Sequence, residues 1–274
     1  MTTPRDLRLA VLSDIHGNLP ALQAVMDDLS RRQVDGVLTG VLTLGDHLSG
    51  PLWPLDTARR LMAQTGWLQI AGNHERQILQ PGPSGQRGAS DAFAHAALGE
   101  EELAWLAALP ATALWRDPAA DADDTSGGVL LCHGTPDDDI TGLMETLDDR
   151  PGRHPRLASA QELDERLSGP SGLAPDVGVV LCGHTHTPRA MRWRGRLLLN
   201  PGSVGLPAYS AGGAQPHKVE TGSPDARYAL LERRSGIWSA LLIALPYDYA
   251  AAARQAQANG RPEWAHALAT GFMP

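Results

Sequence analysis

Five short segments carry side chains suited to metal chemistry: Asp14-Ile15-His16, Gly45-Asp46, Gly72-Asn73-His74-Glu75, His133-Gly134 and Gly183-His184-Thr185-His186. Mixed carboxylate and imidazole donors suit Mn, Fe, Zn or Ni rather than Ca, whose ligands are hard oxygens. Asp14 and His16 are spaced i and i+2, which near the end of an extended segment turns both side chains to one face. His184 and His186 repeat that spacing, with Thr185 pointing away. A single Asp after Gly is ordinarily a turn residue, and a single His at a strand end is ordinarily a satisfied polar group. Turn chemistry calls for Asn, Gly and Pro, so repeated His in five such segments points to ligands instead.

Such segments converge only if the elements before them end side by side. Each follows an expected strand, and in open α/β sheets ligands collect at the carboxyl ends of strands. Strands are expected over Leu7 to Ser13, Gly36 to Leu44 and Trp67 to Ala71, alternating with helices over Leu19 to Arg32 and Leu55 to Gln64. The pattern between His74 and Leu114 is helical, notably Ala92 to Leu98 and Glu101 to Leu109. The second half is strand-rich: Val129 to Cys132, Val177 to Cys182, Ala190 to Trp193, Arg196 to Leu199, Tyr228 to Glu232 and Trp238 to Leu245. Tight turns are expected at Arg194-Gly195 and Ser235-Gly236, and helix returns over Tyr247 to Ala258 and Pro262 to Leu268. The expectation is an α/β fold of two mixed sheets face to face, with helices outside.

Composition narrows the partners. The net charge is −8, with Lys and Arg scattered, so no basic stripe could neutralise a nucleic-acid backbone. Bound cations would still draw phosphate into an acidic protein. No apolar run reaches the length of a membrane span, and the N-terminus leaves no room for a signal peptide, so a cytoplasmic location is expected. Cys132 and Cys182 each end an apolar run and fit buried reduced thiols. The acidic stretch 117–128 fits an exposed hairpin loop or a locally disordered segment.

The ordered set D-x-H, G-D, G-N-H-E, H-G, G-H-T-H resembles the calcineurin-like metallophosphoesterases, and Asn200-Pro-Gly-Ser-Val-Gly205 looks like their small bacterial phosphodiesterase branch. The resemblance implies a four-layer α/β/β/α sandwich, forming one domain over 1–274 with a helical insertion at about 75–115 and C-terminal helices at about 247–270. It implies two divalent metal ions, Mn first and Fe, Zn or Ni as alternatives. Asp14, His16 and His186 would bind one ion, Asn73, His133 and His184 the other, and Asp46 would bridge them. The implied reaction is hydrolysis of a small phosphate ester by in-line attack of a metal-bridging hydroxide, with His74 as general acid.

In the protein Ser/Thr phosphatase branch, an Asp and an Arg follow the bridging Asp, the first orienting the catalytic His and the second binding phosphate. Ser49 and Gly50 stand there in this chain, which moves the expected substrate from phosphoproteins to small phosphorylated molecules. Substrate contacts are sought at Asn73, Arg76 and His47; His47 also fits a surface loop residue or a support for the ligands, and Arg76 could equally pair with a helix carboxylate. Alternative activities are cleavage of dinucleoside polyphosphates or cyclic nucleotides, with Trp53 and Tyr209 as base-stacking candidates. A non-catalytic binding scaffold is disfavoured because His74 and every ligand are intact. His95, His154, His217 and His266 are expected on the surface. The stretch 137–156 fits either a lid or a solvated connection. Self-association is left open.

Overall fold

Leu7–Leu12 (LRLAVL) has apolar residues on both faces, and all six side chains are buried or nearly so, the pattern of a central strand. The computed structural model describes residues 5–34, 38–82, 84–119, 127–147, 155–169, 172–212 and 216–274. Along the first part run β1 (Leu7–Leu12), α1 (Leu19–Val34), β2 (Gly40–Thr43), α2 (Pro54–Met62), β3 (Leu68–Gln69), α3 (Asn73–Leu79), α4 (Ala89–Ala97) and α5 (Glu100–Ala108). There follow β4 (Ala113–Trp115), β5 (Gly128–Leu131), β6 (Glu145–Thr146), β7 (Arg156–Leu157), α6 (Ala160–Leu167) and β8 (Val177–Leu181). The remainder comprises β9 (Arg189–Trp193), β10 (Arg196–Asn200), β11 (Ala208–Ala211), β12 (His217–Glu220), β13 (Ala226–Arg234), β14 (Ile237–Leu245), α7 (Tyr249–Ala258) and α8 (Pro262–Thr270).

Two five-stranded mixed sheets result, ordered β14-β13-β1-β2-β3 and β4-β5-β8-β10-β9. β1, β2 and β3 run parallel, as do β5, β8 and β10. Inward-facing Leu9, Val11 and Leu42 of one sheet meet Leu131, Val179 and Leu199 of the other in a shared core. On the outer face of the first sheet, Leu22, Val25 and Leu29 of α1 pack on Leu12 and Leu230. On the outer face of the second, Leu163 and Leu167 of α6 pack on Val180 and Leu198. These layers form the α/β/β/α sandwich that the motifs imply.

The helix α6 departs from the expectation of a strand-rich second half. It is short, but it begins with a capping box: Glu162 N donates to Ser159 Oγ at 3.2 Å, and Ser159 N donates to Glu162 Oε2 at 2.7 Å. The two expected tight turns do form, with Arg194, Gly195, Ser235 and Gly236 all at left-handed φ. Of the acidic stretch 117–128, residues 120–126 lie outside the described residues; β4 and β5 on either side of it pair antiparallel. Cys132 and Cys182 are buried and free. Among the described residues no helix is long and apolar enough to cross a membrane.

Helix α1 is tied to the sheet by a polar cluster at Asp28. Tyr228 Oη on β13 donates to Asp28, and Arg32 Nε donates to Asp28 Oδ2 at 2.7 Å. Burial pushes the Asp28 carboxyl up, but the bonds from Arg32 and Tyr228 outweigh it and leave it below its ordinary value. A carboxylate with a lowered folded-state pKa stabilises the fold above its unfolded pKa, and that contribution is lost as pH falls through the folded value. Asp28→Asn should therefore melt below the wild type at pH 7, by about 1–2 kcal/mol in unfolding free energy. The gap should narrow below about pH 4. Thermal unfolding of both proteins between pH 2.5 and 8 measures this, and a gap that does not change with pH would contradict it.

Candidate metal centre

The parallel strands β1, β2, β3, β5 and β8 all end at one edge of the sandwich, and each is followed by one of the chemistry-bearing segments. The loops after them come close enough for backbone pairing. Asp14 N donates to Gly45 O, His16 N to Asp46 O, and Gly183 N to His133 O, at 2.8–3.1 Å. The two sheets are joined there as well, since Gly205 N, after β10, donates to Asp14 O at 3.0 Å.

Asp14, His16, Asp46, His184 and His186 all have φ between 52° and 65°, in the left-handed region. The i, i+2 convergence of Asp14 with His16 and of His184 with His186 thus arises in left-handed loops just past the strands, and not from strand pleating as expected. Such backbone costs about 1 kcal/mol or more per residue and persists only where the surroundings hold it. Gly72 and Gly183 permit the close packing. A Cβ on Gly72 would collide with the Asp46 carboxylate, and one on Gly183 with the Ser13 hydroxyl.

Two groups of donors result: Asp14, His16 and His186, and Asp46, His133 and His184, with the donor atoms of each group within 4.8 Å of one another. The hydrogen bonds fix which ring nitrogens face inward. His16 Nδ1 donates to Ser49 O at 2.7 Å and His186 Nδ1 donates to Leu206 O at 2.8 Å. Their Nε2 atoms therefore carry the lone pairs in the neutral tautomer, and these face each other at 3.1 Å. Burial holds His16 down to about 4, with His186 adding to that effect, so it is neutral at pH 7. Both oxygens of the wholly buried Asp14 lack a hydrogen-bond donor, and His186 Nε2 lies 3.2 Å from Oδ1.

The second group is built alike. His133 Nδ1 donates to Leu44 O at 2.7 Å, leaving Nε2 to face Asp46 Oδ2 and Asn73 Oδ1, each at 3.1 Å. His184 Nδ1 stands 3.0 Å from the same Asn73 oxygen. In the first group the facing lone pairs and the undonated Asp14 oxygens are costly unless a cation lies among them. In the second, burial lowers the His133 pKa but the fields of Asp46 and Asp14 outweigh it and push it up to about 10, so this place too favours positive charge. Both donor sets fit a divalent ion held by nitrogen and oxygen. Nδ1–H bonds to backbone carbonyls are also how ligating histidines are usually oriented.

Glu75 holds two of the ligand loops together. Its Oε2 accepts from Asp46 N at 2.7 Å and Gly72 N at 2.6 Å, and its Oε1 accepts from His47 N at 2.8 Å. Sequence reading singled out the segment containing Glu75 but assigned that residue no role; the capping-box position three residues after Gly72 was the available signal. His74 N at the start of α3 donates to Asp46 Oδ1 at 2.9 Å, fixing that carboxylate beside His133. The His74 ring faces the cleft, and its Nδ1 stands 2.7 Å from Asp91 Oδ1 on α4. Burial lowers the His74 pKa, but the fields of Asp46, Asp91 and Glu75 outweigh it and push it up to about 9. Asp91 was not anticipated. It supplies from α4 the partner carboxylate that Ser49 cannot, and nothing in its local sequence marks it.

Two expected substrate contacts are placed otherwise. His47 is fully buried; its Nε2 is 2.9 Å from Thr43 Oγ1 and its ring is packed near Trp105, so it is neither a surface residue nor open to substrate. Arg76 is engaged at both Nε and Nη2 by Asp139, at 2.9 and 2.7 Å, on the loop after His133 rather than on a helix. Asn73 does line the cleft. The cleft has a volume of about 910 Å³, and Ile140, Leu147 and Pro155 from the stretch 137–156 border it. Residues 148–154 of that stretch, with His154, lie outside the described residues. Tyr209 packs edge-on against His186 at 4.7 Å in the cleft, whereas Trp53 packs beside Leu52 and Ala252 away from it. His217, expected on the surface, lines the cleft beside Tyr209.

Residues 7–221 match the calcineurin-like phosphoesterase superfamily domain. The chain belongs to this superfamily. Its fold is similar to that of a metallophosphoesterase from Sphaerobacter thermophilus, with 22% identity and a TM-score of 0.67 over 98% of this chain and 100% of that one. It is also similar to a hypothetical protein from Pyrococcus horikoshii, with 17% identity and a TM-score of 0.69 over the same shares. No curated protein matches the sequence. Superfamily membership agrees with the two donor groups and with the fold, and the match ends before β13, β14, α7 and α8.

Because Glu75 accepts three backbone bonds while wholly buried, Glu75→Ala should lower the unfolding free energy by about 3 kcal/mol. It should also weaken metal uptake by at least about tenfold by releasing the loops of Asp46 and Asn73. Denaturant unfolding and calorimetric Mn titration measure the two effects, and a variant equal to wild type in both would remove Glu75 from this role.

Proposed function

We propose that the chain is a dinuclear metal-dependent phosphoesterase that hydrolyses small phosphate esters. The observation that carries this reading is the pair of buried groups of carboxylate and imidazole donors, the first with its ring lone pairs facing one another, and His74 beside Asp46 at the cleft. Asp14, His16 and His186 would hold one divalent ion, Asn73, His133 and His184 the other, and Asp46 both; Mn is the first candidate, before Fe, Zn or Ni. When bound, two such ions lower the pKa of water and neutralise phosphoryl charge.

The chain's own groups do the rest. His74 gives its Nε2 proton to the leaving oxygen as the bond from phosphorus to that oxygen breaks, a water oxygen bonds to phosphorus from the opposite side with loss of its proton to solvent, and His74 takes a proton back from solvent. Asp91 fixes the ring by accepting the Nδ1 proton, so that Nε2 faces the cleft. Asn73, apart from its amide oxygen, can offer an Nδ2 proton to a phosphoryl oxygen. The size of the cleft favours a small molecule over a protein surface or a nucleic-acid polymer, consistent with the net charge. Two buried free thiols agree with action in the reducing cytoplasm.

The metal dependence is tested by dialysing the protein against a chelator, restoring each metal singly, and following bis(4-nitrophenyl) phosphate and 4-nitrophenyl phosphate. Activity should vanish on removal and return most strongly with Mn. Turnover that survives chelation, or no turnover with any metal and any phosphate ester, would refute the reading.

The proton-donor role makes a separate prediction. His74→Ala should lower kcat by about 10²–10⁴-fold with metal content unchanged, and Asp91→Asn should lower it by about ten- to a hundredfold. For substrates whose leaving group needs no proton, such as nitrophenolate, both losses should shrink relative to alkyl esters. Equal losses for the two substrate types would exclude proton donation by His74.

A further inference from the structure

One wall of the cleft is built by residues 261–273, outside the segment that matches the superfamily domain. Arg261 immediately precedes α8. Its Nη1 donates to Ser90 Oγ at 3.2 Å, its Nε donates to Glu263 Oε1 at 2.5 Å, and its guanidinium carbon is 5.7 Å from the centre of the Trp264 ring. Trp264 stands edge-on to the candidate ligand His16, with ring centres 6.0 Å apart. Ser90 adjoins Asp91, which holds His74. The guanidinium is therefore fixed on the His74 side of the cleft, where a leaving group would depart.

Among the described residues lining the cleft, Arg261 is the one lysine or arginine. Its two contacts use two of the five guanidinium N–H donors, and the planar fork suits a phosphate oxygen pair. The competing carboxylate of Glu263 is more exposed than Arg261 itself, at 39% against 23%. The pair is only part-buried, and the more exposed Glu263 carboxylate can turn to solvent when a ligand anion takes its place. Trp264 supports the guanidinium from beneath while keeping that wall apolar.

We propose that Arg261 binds a phosphate group carried by the leaving group of the substrate. The preferred substrates are then phosphate esters or anhydrides with a second phosphate on the departing side of the scissile bond. This inference rests on the proposed function, because His74 defines the departing side. It makes the C-terminal helix, and not the metal ligands, the determinant of which phosphate esters are used.

The test compares two aryl phosphodiesters identical except on the leaving ring, one bearing a phosphonomethyl group and the other its uncharged dimethyl ester. With the Mn-loaded protein, Arg261→Ala should lower kcat/KM for the charged diester by at least about tenfold, mostly through KM, and change the uncharged one less than about threefold. Arg261→Lys should be intermediate, and Glu263→Gln should raise kcat/KM for the charged diester. The second readout needs no turnover: (4-hydroxybenzyl)phosphonate, the charged leaving group, should bind metal-free wild type in calorimetry at least about tenfold more tightly than it binds metal-free Arg261→Ala. Melting temperatures establish that the variants are folded.

Equal losses for both diesters in Arg261→Ala, a loss with Glu263→Gln as large as that with Arg261→Ala, or binding indifferent to Arg261 would each overturn the proposal. If wild type cleaves neither diester with any metal, the phosphoesterase reading fails. The calorimetric comparison still decides whether Arg261 is an anion site.

Discussion

The carboxylate of Glu75 locks together the two loops that leave the neighbouring strands β2 and β3. Three backbone N–H groups, from Asp46, His47 and Gly72, converge on its two oxygens in a fully buried place. Without that acceptor, three buried donors would be left unpaired, and the loops that the paired strands β2 and β3 bring side by side would lose the bonds that fix their mutual geometry. Everything next to it inherits the constraint. Asp46 is held in its donor group, α3 starts at Asn73, and His74 turns its ring to the cleft while its backbone N–H holds Asp46.

The rest of the centre follows the same logic of side chains held by backbone. His16, His133 and His186 each have Nδ1 fixed by a carbonyl from a different loop, so their inward nitrogens are chosen before any ion arrives. Left-handed backbone at five ligand positions is the cost of bringing short side chains inward from strand ends. Parallel strands are what make this affordable, because their carboxyl ends lie at one edge and present their loops together.

Much of this was legible in the sequence. The runs around β1, β5 and β8 are apolar on both faces and end at Asp, His or Gly, so their ends located three of the donor segments. The turns at Arg194-Gly195 and Ser235-Gly236 follow from local chemistry alone. What escaped was long-range: Asp91 resembles any helix carboxylate until α4 is seen beside α3, and Trp264 and Arg261 enter the cleft only because α8 folds back over it. Of the three readings of His47, support for the ligands is the one its place fits, because the chain buries it against Thr43 and Trp105 with its backbone N–H on Glu75. Arg76 was readable as a cation near the site, but its partner Asp139 is brought to it by a loop more than sixty residues away.

β1 carries the loop of Asp14 and His16, and it lies between β2, its near neighbour in the chain, and β13, which comes from the far end. A strand in that position cannot be enclosed until nearly the whole polypeptide has been collected around it. Its assembly is thus governed by a closure of very long range, the kind that makes folding slow. Until β13 arrives, one edge of β1 has unpaired backbone groups, and the apolar faces meant for the two-sheet core have no lasting cover. The segment that carries every ligand is therefore not a self-sufficient folding unit. A chain ending before β13 would leave that edge of β1 and the inner face of its sheet uncovered, an exposure that favours misassembly.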